Sequence, residues 1–581
     1  MNRILLTTLF SVVLAEKSPR LKFTVQEPAR FHFMKPENYM TVYHQQGSDV
    51  LYVGGRAVIY MISFTHKEVQ DTMQRMKLFF NDTFVVCGTN AGSPKCWLLV
   101  NETVLTPIPD HGQRTTAADI SPPFPSQRSV SLAADGSLYS ALSAMGKQTG
   151  SIRRTYSSNK LLKTESKWLL NPQFAGAVVI PAEQKYNEEI YFFFSELNKT
   201  ASLDEEPYRA RIGRICMVND EGGIKSILPD SWTTFLKARV MCGTASTPQQ
   251  YNNIRRAFVL ISQHRTGVMY GLFSNVWGTT VVCAYSTEEI DQTFAKSKLK
   301  GYNSPLIGHR PGACASKNNT AALNQKTLGV IKDHPEIEDV IWPVGGAPLD
   351  LPTDDHFTHV VADTVLAVND EHYSVIYLGT EQGKVLKVLH TNAEAFIISQ
   401  YSLFHNEGPI INMAIDSQKG HLYVGTAMEI QRLQLADCSR YGHSCRECIL
   451  SRDPYCGWDW AKRKCLAIPA RSMVPKDVQM SKDGPVFLPC PVHSYHATYV
   501  WEKDNCVKRY PCTITGSSCV LAPTPELPLK EGVFRCMALE SGLKQEVVSY
   551  RLVINGGTLP VSPASTLLLS VLLAVAGLWL Q

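Results

Sequence analysis

The sequence predicts an all-β protein in three units: a β-propeller, a small disulfide-rich module and a two-sheet β-sandwich. Three observations predict it. A strand–turn–strand phrase recurs toward both ends of residues 16–436, five cysteines crowd into residues 438–465, and the order Cys490…Trp501…Cys536 follows them. At 581 residues the chain is also longer than one hydrophobic core can serve, so several units are required.

The ends of the chain set the compartment. Asn2-Arg3 is a short positive lead, Ile4 to Ala15 is an apolar run, and Val13 and Ala15 put small residues at the −3 and −1 positions of a cleavage site. Residues 1–15 therefore read as a secretory signal peptide rather than a buried helix. Sixteen cysteines suit the oxidising exterior to which such a signal leads. At the other end, Thr566 to Leu580 is apolar but only 15 residues long, short of the roughly 20 that span a bilayer. Asn555-Gly556-Gly557 and a polar spacer precede it, the layout of a glycosylphosphatidylinositol (GPI) attachment signal. Asn555 is the preferred attachment residue, with Gly556 and Ser562 as alternatives, and residues 556–581 are then removed. A weakly spanning tail helix is the competing reading. An anchored protein of this kind sits on the outer face of the plasma membrane and signals only by touching something else.

Composition agrees. The formal charge of +5 is spread along the chain with no long basic run, which argues against nucleic acid as the ligand. Four N-x-S/T sequons, at Asn81, Asn101, Asn198 and Asn318, are candidate N-glycosylation sites of an exported chain.

The propeller rests on the recurring phrase. Leu51-Tyr-Val-Gly-Gly-Arg-Ala-Val-Ile-Tyr60 is an apolar strand, a glycine turn and a second strand. Ile376 to Leu386 and Leu422 to Ile430 repeat it, with Tyr377 and Tyr423 46 residues apart, about one four-stranded blade. Blades closed into a ring leave no exposed sheet edges. Three unrelated hairpins in stacked sandwiches would read similarly, and the middle of the chain is too irregular for a blade count.

Cys438, Cys445, Cys448, Cys456 and Cys465 occupy a span too short for a real core, so disulfides must hold it. Cys445 and Cys448 have half of a zinc spacing, but no second pair completes it. In residues 481–554, Cys490, Trp501 and Cys536 have the order of an immunoglobulin (Ig) sandwich, whose buried tryptophan packs on the bridge between sheets. Phe534 stands where a tyrosine hydroxyl normally ties the corner of that fold, so that hydrogen bond is missing. No catalytic motif is present, His309, His334 and His421 are isolated, and the chain reads as a non-enzyme without cofactor or metal.

With these pieces in place the chain resembles the semaphorin family. Cys87-Gly-Thr-Asn90, Ile190-Tyr-Phe-Phe-Phe-Ser-Glu196, Arg211-Ile-Gly-Arg-Ile-Cys216, Trp232-Thr-Thr-Phe-Leu-Lys-Ala-Arg239, Gly271-Leu-Phe-Ser-Asn-Val-Trp277, Arg310-Pro-Gly-Ala-Cys314 and Asp453-Pro-Tyr-Cys-Gly-Trp-Asp459 match in order. The single Ig unit and the GPI signal are most similar to class 7 of that family. The resemblance implies a seven-bladed sema propeller over 16–436, a plexin-semaphorin-integrin (PSI) module and linker over 437–480, and an Ig-like domain over 481–554. It implies a homodimer through the sema domain that clusters plexin receptors, plexin C1 for class 7, with β1 integrin as a second receptor. The outputs it implies are axon growth and guidance and immune-cell adhesion or activation. A purely adhesive protein acting by self-association is the alternative.

The resemblance also implies disulfides Cys87–Cys96, Cys216–Cys314, Cys242–Cys283, Cys438–Cys456, Cys448–Cys465, Cys490–Cys536 and Cys512–Cys519. Cys445 and Cys506 are left over, and a bridge between them is one assignment. Two departures stand out. The family's early cysteine pair has no counterpart between Val69 and Phe84, which points to an altered first blade or an interrupted gene model. The integrin tripeptide Arg-Gly-Asp is absent, its place after Cys216 being taken by Met217-Val218-Asn219-Asp220. Asp220 is then the one candidate for an integrin's metal, which makes that partner doubtful.

Overall fold

The computed structural model describes residues 19–554 apart from short internal stretches, the longest being 73–78, 108–115, 200–205, 316–323, 469–475 and 523–531. The chain divides into two compact units, residues 1–365 with 372–467, and residues 366–371 with 468–581.

In the first unit the described residues form seven blade sheets of three to five strands. Along the chain, blade 1 spans residues 41–72, blade 2 79–107, blade 3 129–163, blade 4 173–240, blade 5 253–286, blade 6 357–402 and blade 7 412–434. The three repeated phrases are equivalent hairpins of blades 1, 6 and 7, which removes the stacked-sandwich alternative. Blades 1 and 2 each keep four strands, although Gln70–Thr72 and Phe79–Phe80 are only three and two residues long.

Period-two alternation explains how the blades stack. On Glu189–Leu197 of blade 4, Tyr191 and Phe193 pack toward Ile254, Met269 and Phe273 of blade 5. Ile190, Phe192 and Phe194 point the other way, onto Tyr139, Ala141 and Ile152 of blade 3. On blade 5, Tyr270 and Leu272 face Ile376 and Leu378 of blade 6. Val375 of blade 6 then packs with Leu422 of blade 7, and Tyr423 of blade 7 with Leu51 and Val53 of blade 1. The last of these contacts closes the ring.

The N-terminal segment stitches that closure. Ala29–His32 pairs antiparallel with Glu429–Gln434 and gives blade 7 its fourth strand from the opposite end of the chain. Beside it, His44 Nε2 lies 2.8 Å from Asp416 Oδ2 with both side chains buried. Just upstream, Leu21–Thr24 runs parallel to Ala395–Ser402 as a fifth strand of blade 6.

A second long-range crossing explains the irregular middle. After blade 5 the chain makes helices Thr287–Lys296 and Gln325–Asp333, capped by the Ser286 and Asn324 side chains. It then returns as Glu336–Ile341, which pairs parallel with Leu236–Val240 in blade 4. Buried charges fasten this return. Glu196 Oε1 accepts from Arg211 Nε at 2.7 Å and Lys237 Nζ at 2.8 Å, and Arg211 Nη1 lies 3.0 Å from Glu336 Oε1. Gly312, on the same excursion, has φ +80, and a Cβ there would meet Leu236 at 2.5 Å. Its carbonyl accepts from Arg214 Nη2, so the Arg310-Pro-Gly motif needs glycine for conformation and for space.

Residues 438–467 complete this unit with Cys438–Tyr441, helix Cys445–Leu450 and the hairpin Cys456–Asp459 with Lys464–Ala467. The second unit is a sandwich of a five-stranded and a three-stranded sheet. Trp501, Cys490 and Cys536 are fully buried at its centre. Strand Lys476–Met480 pairs parallel with residues 550–554, so the sandwich begins before residue 481. Phe534 lacks the corner hydroxyl, but Tyr550, paired with it across the ladder, donates its hydroxyl to Pro489 O at 2.9 Å.

Candidate receptor-binding surface

A propeller presents loops and edges to a partner, which requires its parts to be held rigidly together. Blade 6 carries the PSI module. Ile398, fully buried, packs against Cys438, Tyr441, Cys448, Cys456 and Cys465, with Leu21 and Phe23 of the N-terminal strand alongside. Inside this contact Lys387 and Asp453 are both fully buried and 2.5 Å apart. Lys387 Nζ also donates to Leu435 O at 2.7 Å and lies 4.5 Å from the Tyr455 ring centroid. Tyr441 donates its hydroxyl to Asp453 Oδ2, and Tyr455 donates its own to Asp363 Oδ2, each at 2.5 Å. Burial, and then the neighbouring carboxylates, push both phenols well above their ordinary range, so they stay protonated donors. The Asp453-Pro-Tyr-Cys motif thus joins the module to the propeller as well as stapling it. Sequence reading missed Lys387. Its signal was a lysine in the middle of the apolar run Val385-Leu386-Lys387-Val388-Leu389.

The structure joins Cys87 to Cys96, Cys216 to Cys314, Cys242 to Cys283, Cys438 to Cys456, Cys448 to Cys465, Cys490 to Cys536 and Cys512 to Cys519. Cys445 is a free, half-buried thiol, and Cys506 lies outside the described residues. With Cys448 bonded to Cys465, the zinc-like pair does not exist. Among the described residues, the one group near enough together to consider for a metal is Glu189, Cys216 and Cys314. Its two sulfurs are bonded to each other and Glu189 faces Arg214 Nη1 at 3.0 Å, so it is not a ligand set.

Asp220 requires a correction. It is 2% exposed, and its carboxylate accepts from Thr233 N (2.9 Å), Thr233 Oγ1 (3.0 Å), Thr234 N (3.0 Å), Thr234 Oγ1 (2.7 Å) and Gly222 N (3.0 Å). Five donors fill the carboxylate's acceptor capacity, so Asp220 organises its loop and offers nothing to an integrin's metal. Asn198 is buried on strand Glu189–Leu197's exit, its N–H donating to Pro207 O at 2.8 Å. Asn81, Asn101, Asn318, Asn555, Gly556 and Ser562 lie outside the described residues.

Among the described residues, an axial cavity of about 990 Å3 is walled by the blades' first strands through residues such as Thr41, Val130, Ala175, Arg256 and His359. His359 is buried there, and burial followed by the charge of Arg256 pushes its imidazole down to about 3, so it is neutral at neutral pH. Arg256 Nε donates to its Nε2 at 3.4 Å.

Comparison with known proteins fits this architecture. Residues 254–417 match the Sema domain family, residues 437–484 the Plexin repeat (PSI), and residues 473–563 the Semaphorin-3/4/7A immunoglobulin-like domain. The chain belongs to the semaphorin family. It is 29% identical to mouse Semaphorin-7A over 93% of this chain and 87% of that protein, and 29% identical to the human protein over 95% and 88%. Mouse Semaphorin-4C is 27% identical over 91% of this chain and 73% of that one. The fold is that of Drosophila Semaphorin 1b, extracellular domains 1-2 (TM-score 0.64, 22% identity, 77% and 94% of the two chains), and Drosophila Semaphorin 2a (TM-score 0.63, 21%, 93% and 100%). A structure of Drosophila Plexin A in complex with Semaphorin 1b matches with TM-score 0.62 at 23% identity, over 77% of this chain and 94% of that one. Semaphorins are signalling ligands, and this one is not an enzyme. No helix among the described residues is long and apolar enough to cross a membrane.

Proposed function

We propose that this semaphorin is a GPI-anchored extracellular ligand that binds a plexin, plexin C1, and acts as a homodimer through its sema domain to bring receptors together. The observation that carries the reading is the sema–PSI–Ig order on one chain, aligned with Semaphorin-7A over nearly its whole length. Anchoring and dimerisation would act together, since the second receptor contact becomes intramolecular and raises avidity without new contacts. Axon guidance and immune-cell adhesion are the outputs that such clustering would drive. The burial of Asp220 removes the one residue offered for an integrin's metal, so β1 integrin is not proposed as a partner through it.

Surface plasmon resonance of the purified chain over immobilised plexin C1 and β1 integrin ectodomains tests this. The expected result is saturable binding to plexin alone, with apparent affinity rising with the dimer fraction. A folded dimer that ignores plexin C1 overturns the assignment.

A further inference from the structure

We propose that the axial cavity of the propeller binds a small extracellular polyanion carrying sulfate or phosphate esters, gripped by Arg128, Arg255 and Arg256. This goes beyond the receptor role proposed above.

The first observation is a backbone irregularity. On an ordinary strand, neighbours point to opposite faces, so two consecutive arginines could not both line one wall. Strand Asn253–Ile261 breaks that rule. Ile254 pairs with Phe273 and Arg256 with Leu272, which leaves Arg255 unpaired at a bulge. A bulge re-aims side chains, and both Arg255 and Arg256 lie on the cavity wall. Arg128, just ahead of the first strand of blade 3, joins them there.

The second observation is that these cations have no counter-ions. Among the described residues none of the three forms an ion pair, and the Arg128 and Arg255 side chains make no hydrogen bond to protein. Arg256 reaches only the neutral His359 and, through Nη1, the carbonyl of Arg255 at 2.9 Å. Two carboxylates share the wall, Glu206 and Glu381. Neither pairs with an arginine. Glu206 accepts from Val276 N at 3.1 Å, and burial raises its pKa, which a nearby guanidinium would have lowered. The three arginines instead act on one another. Burial first, then Arg255 and Arg256, pull Arg128 down to about 10. Like charges held together without partners are costly, most of all for the half-buried Arg128 and Arg256, and an oxyanion placed among the three removes that cost.

The third observation is fit. The volume is that of a small-molecule site, its cations are all arginines, and the guanidinium fork matches the oxygens of sulfate and phosphate in pairs. Hydroxyls of Ser129, Ser131 and Thr358 on the same wall suit an oxygen-rich scaffold. Sulfated sugars and phosphorylated cyclitols share this chemistry.

Isothermal titration calorimetry on the purified full chain at physiological ionic strength tests the site. The probes are inorganic sulfate, pyrophosphate, a sulfated heparin disaccharide and inositol hexakisphosphate. One saturable site is expected for at least one ester-bearing probe. Arg128→Gln and Arg255→Gln should each weaken it about tenfold, the worth of a lost charge-assisted contact, while Lys296→Gln, outside the cavity, leaves it unchanged. A response to the disaccharide alone or to the cyclitol alone identifies the source. Absence of binding by every probe, or equal affinity in wild type and Arg255→Gln, overturns the proposal. Arg255 is exposed and partnerless, so its variant decides the matter even where Arg128→Gln disturbs folding.

Discussion

The propeller has two joints made by the same means and exposed to different risks. At ring closure, strand Ala29–His32 pairs with blade 7 and Asp416 faces His44 at 2.8 Å. At the PSI joint, strand Leu21–Thr24 pairs with blade 6 and Asp453 faces Lys387 at 2.5 Å. Each joint combines a strand from the N-terminal segment with a buried carboxylate opposite a basic side chain. The difference lies in what else surrounds the acid. Asp416 is ringed by N–H groups of Gly47, Gln418 and Lys419. Asp453 shares its charge with Lys387 and the Tyr441 hydroxyl, against a module whose own core is little more than two disulfides. The first acid secures a ring that already has hydrophobic contacts on both sides. The second sits under a module that cannot fold by burial alone, so its loss should matter more.

Removing Lys387 should show the largest effect. Lys387→Met leaves Asp453 buried without its cation and should cost about 3–5 kcal/mol, while Lys387→Met with Asp453→Leu should recover most of it. Chemical denaturation gives the energies, and faster hydrogen exchange across residues 438–467 locates the damage. A double variant as unstable as the single one would mean that the pair is not the fastening. Next comes the staple. Cys448→Ser with Cys465→Ser opens a loop with sequence separation 17, a loss of about 3 kcal/mol by chain entropy. Limited proteolysis should cut the PSI module first and leave the blades intact. If the module resists, the blade 6 contact alone holds it, and the contrast between the joints narrows.

The smallest effect is expected at ring closure, and only in acid. Burial by itself would raise the Asp416 carboxyl, but hydrogen bonds from His44, then from the backbone of Lys419 and Gly47, outweigh it and hold the group below its ordinary 3.8. A depressed carboxyl contributes its stability above the unfolded value and loses it as pH falls through the folded one. Thermal melts should therefore be insensitive to this group at neutral pH and steepen below about 4. Asp416→Asn should flatten that slope. An unchanged slope in the variant assigns the acid sensitivity elsewhere.

Much of the architecture was legible because it is written locally. Turn glycines between apolar runs marked the hairpins of blades 1, 6 and 7, and cysteine density marked the PSI module. The blade count was not legible. The excursion of residues 287–341 interrupts the repeat, and its strand belongs to blade 4, a partner about a hundred residues back. Asp220 misled for a related reason. It stands in the place of the integrin tripeptide after Cys216, while four of the five donors that fill its carboxylate come from Thr233 and Thr234, across a loop.

Residue types at short spacing were enough to write the three-unit order and the family into the chain. Folding was needed to bring the buried charges together, to turn Asp220 inward and to put Arg128 on the wall it shares with Arg255 and Arg256. The two differ in range. Spacing along the chain fixes turns, strands and staples, whereas the meeting of Lys387 with Asp453, or of His44 with Asp416, exists only after seven blades have packed into a closed ring.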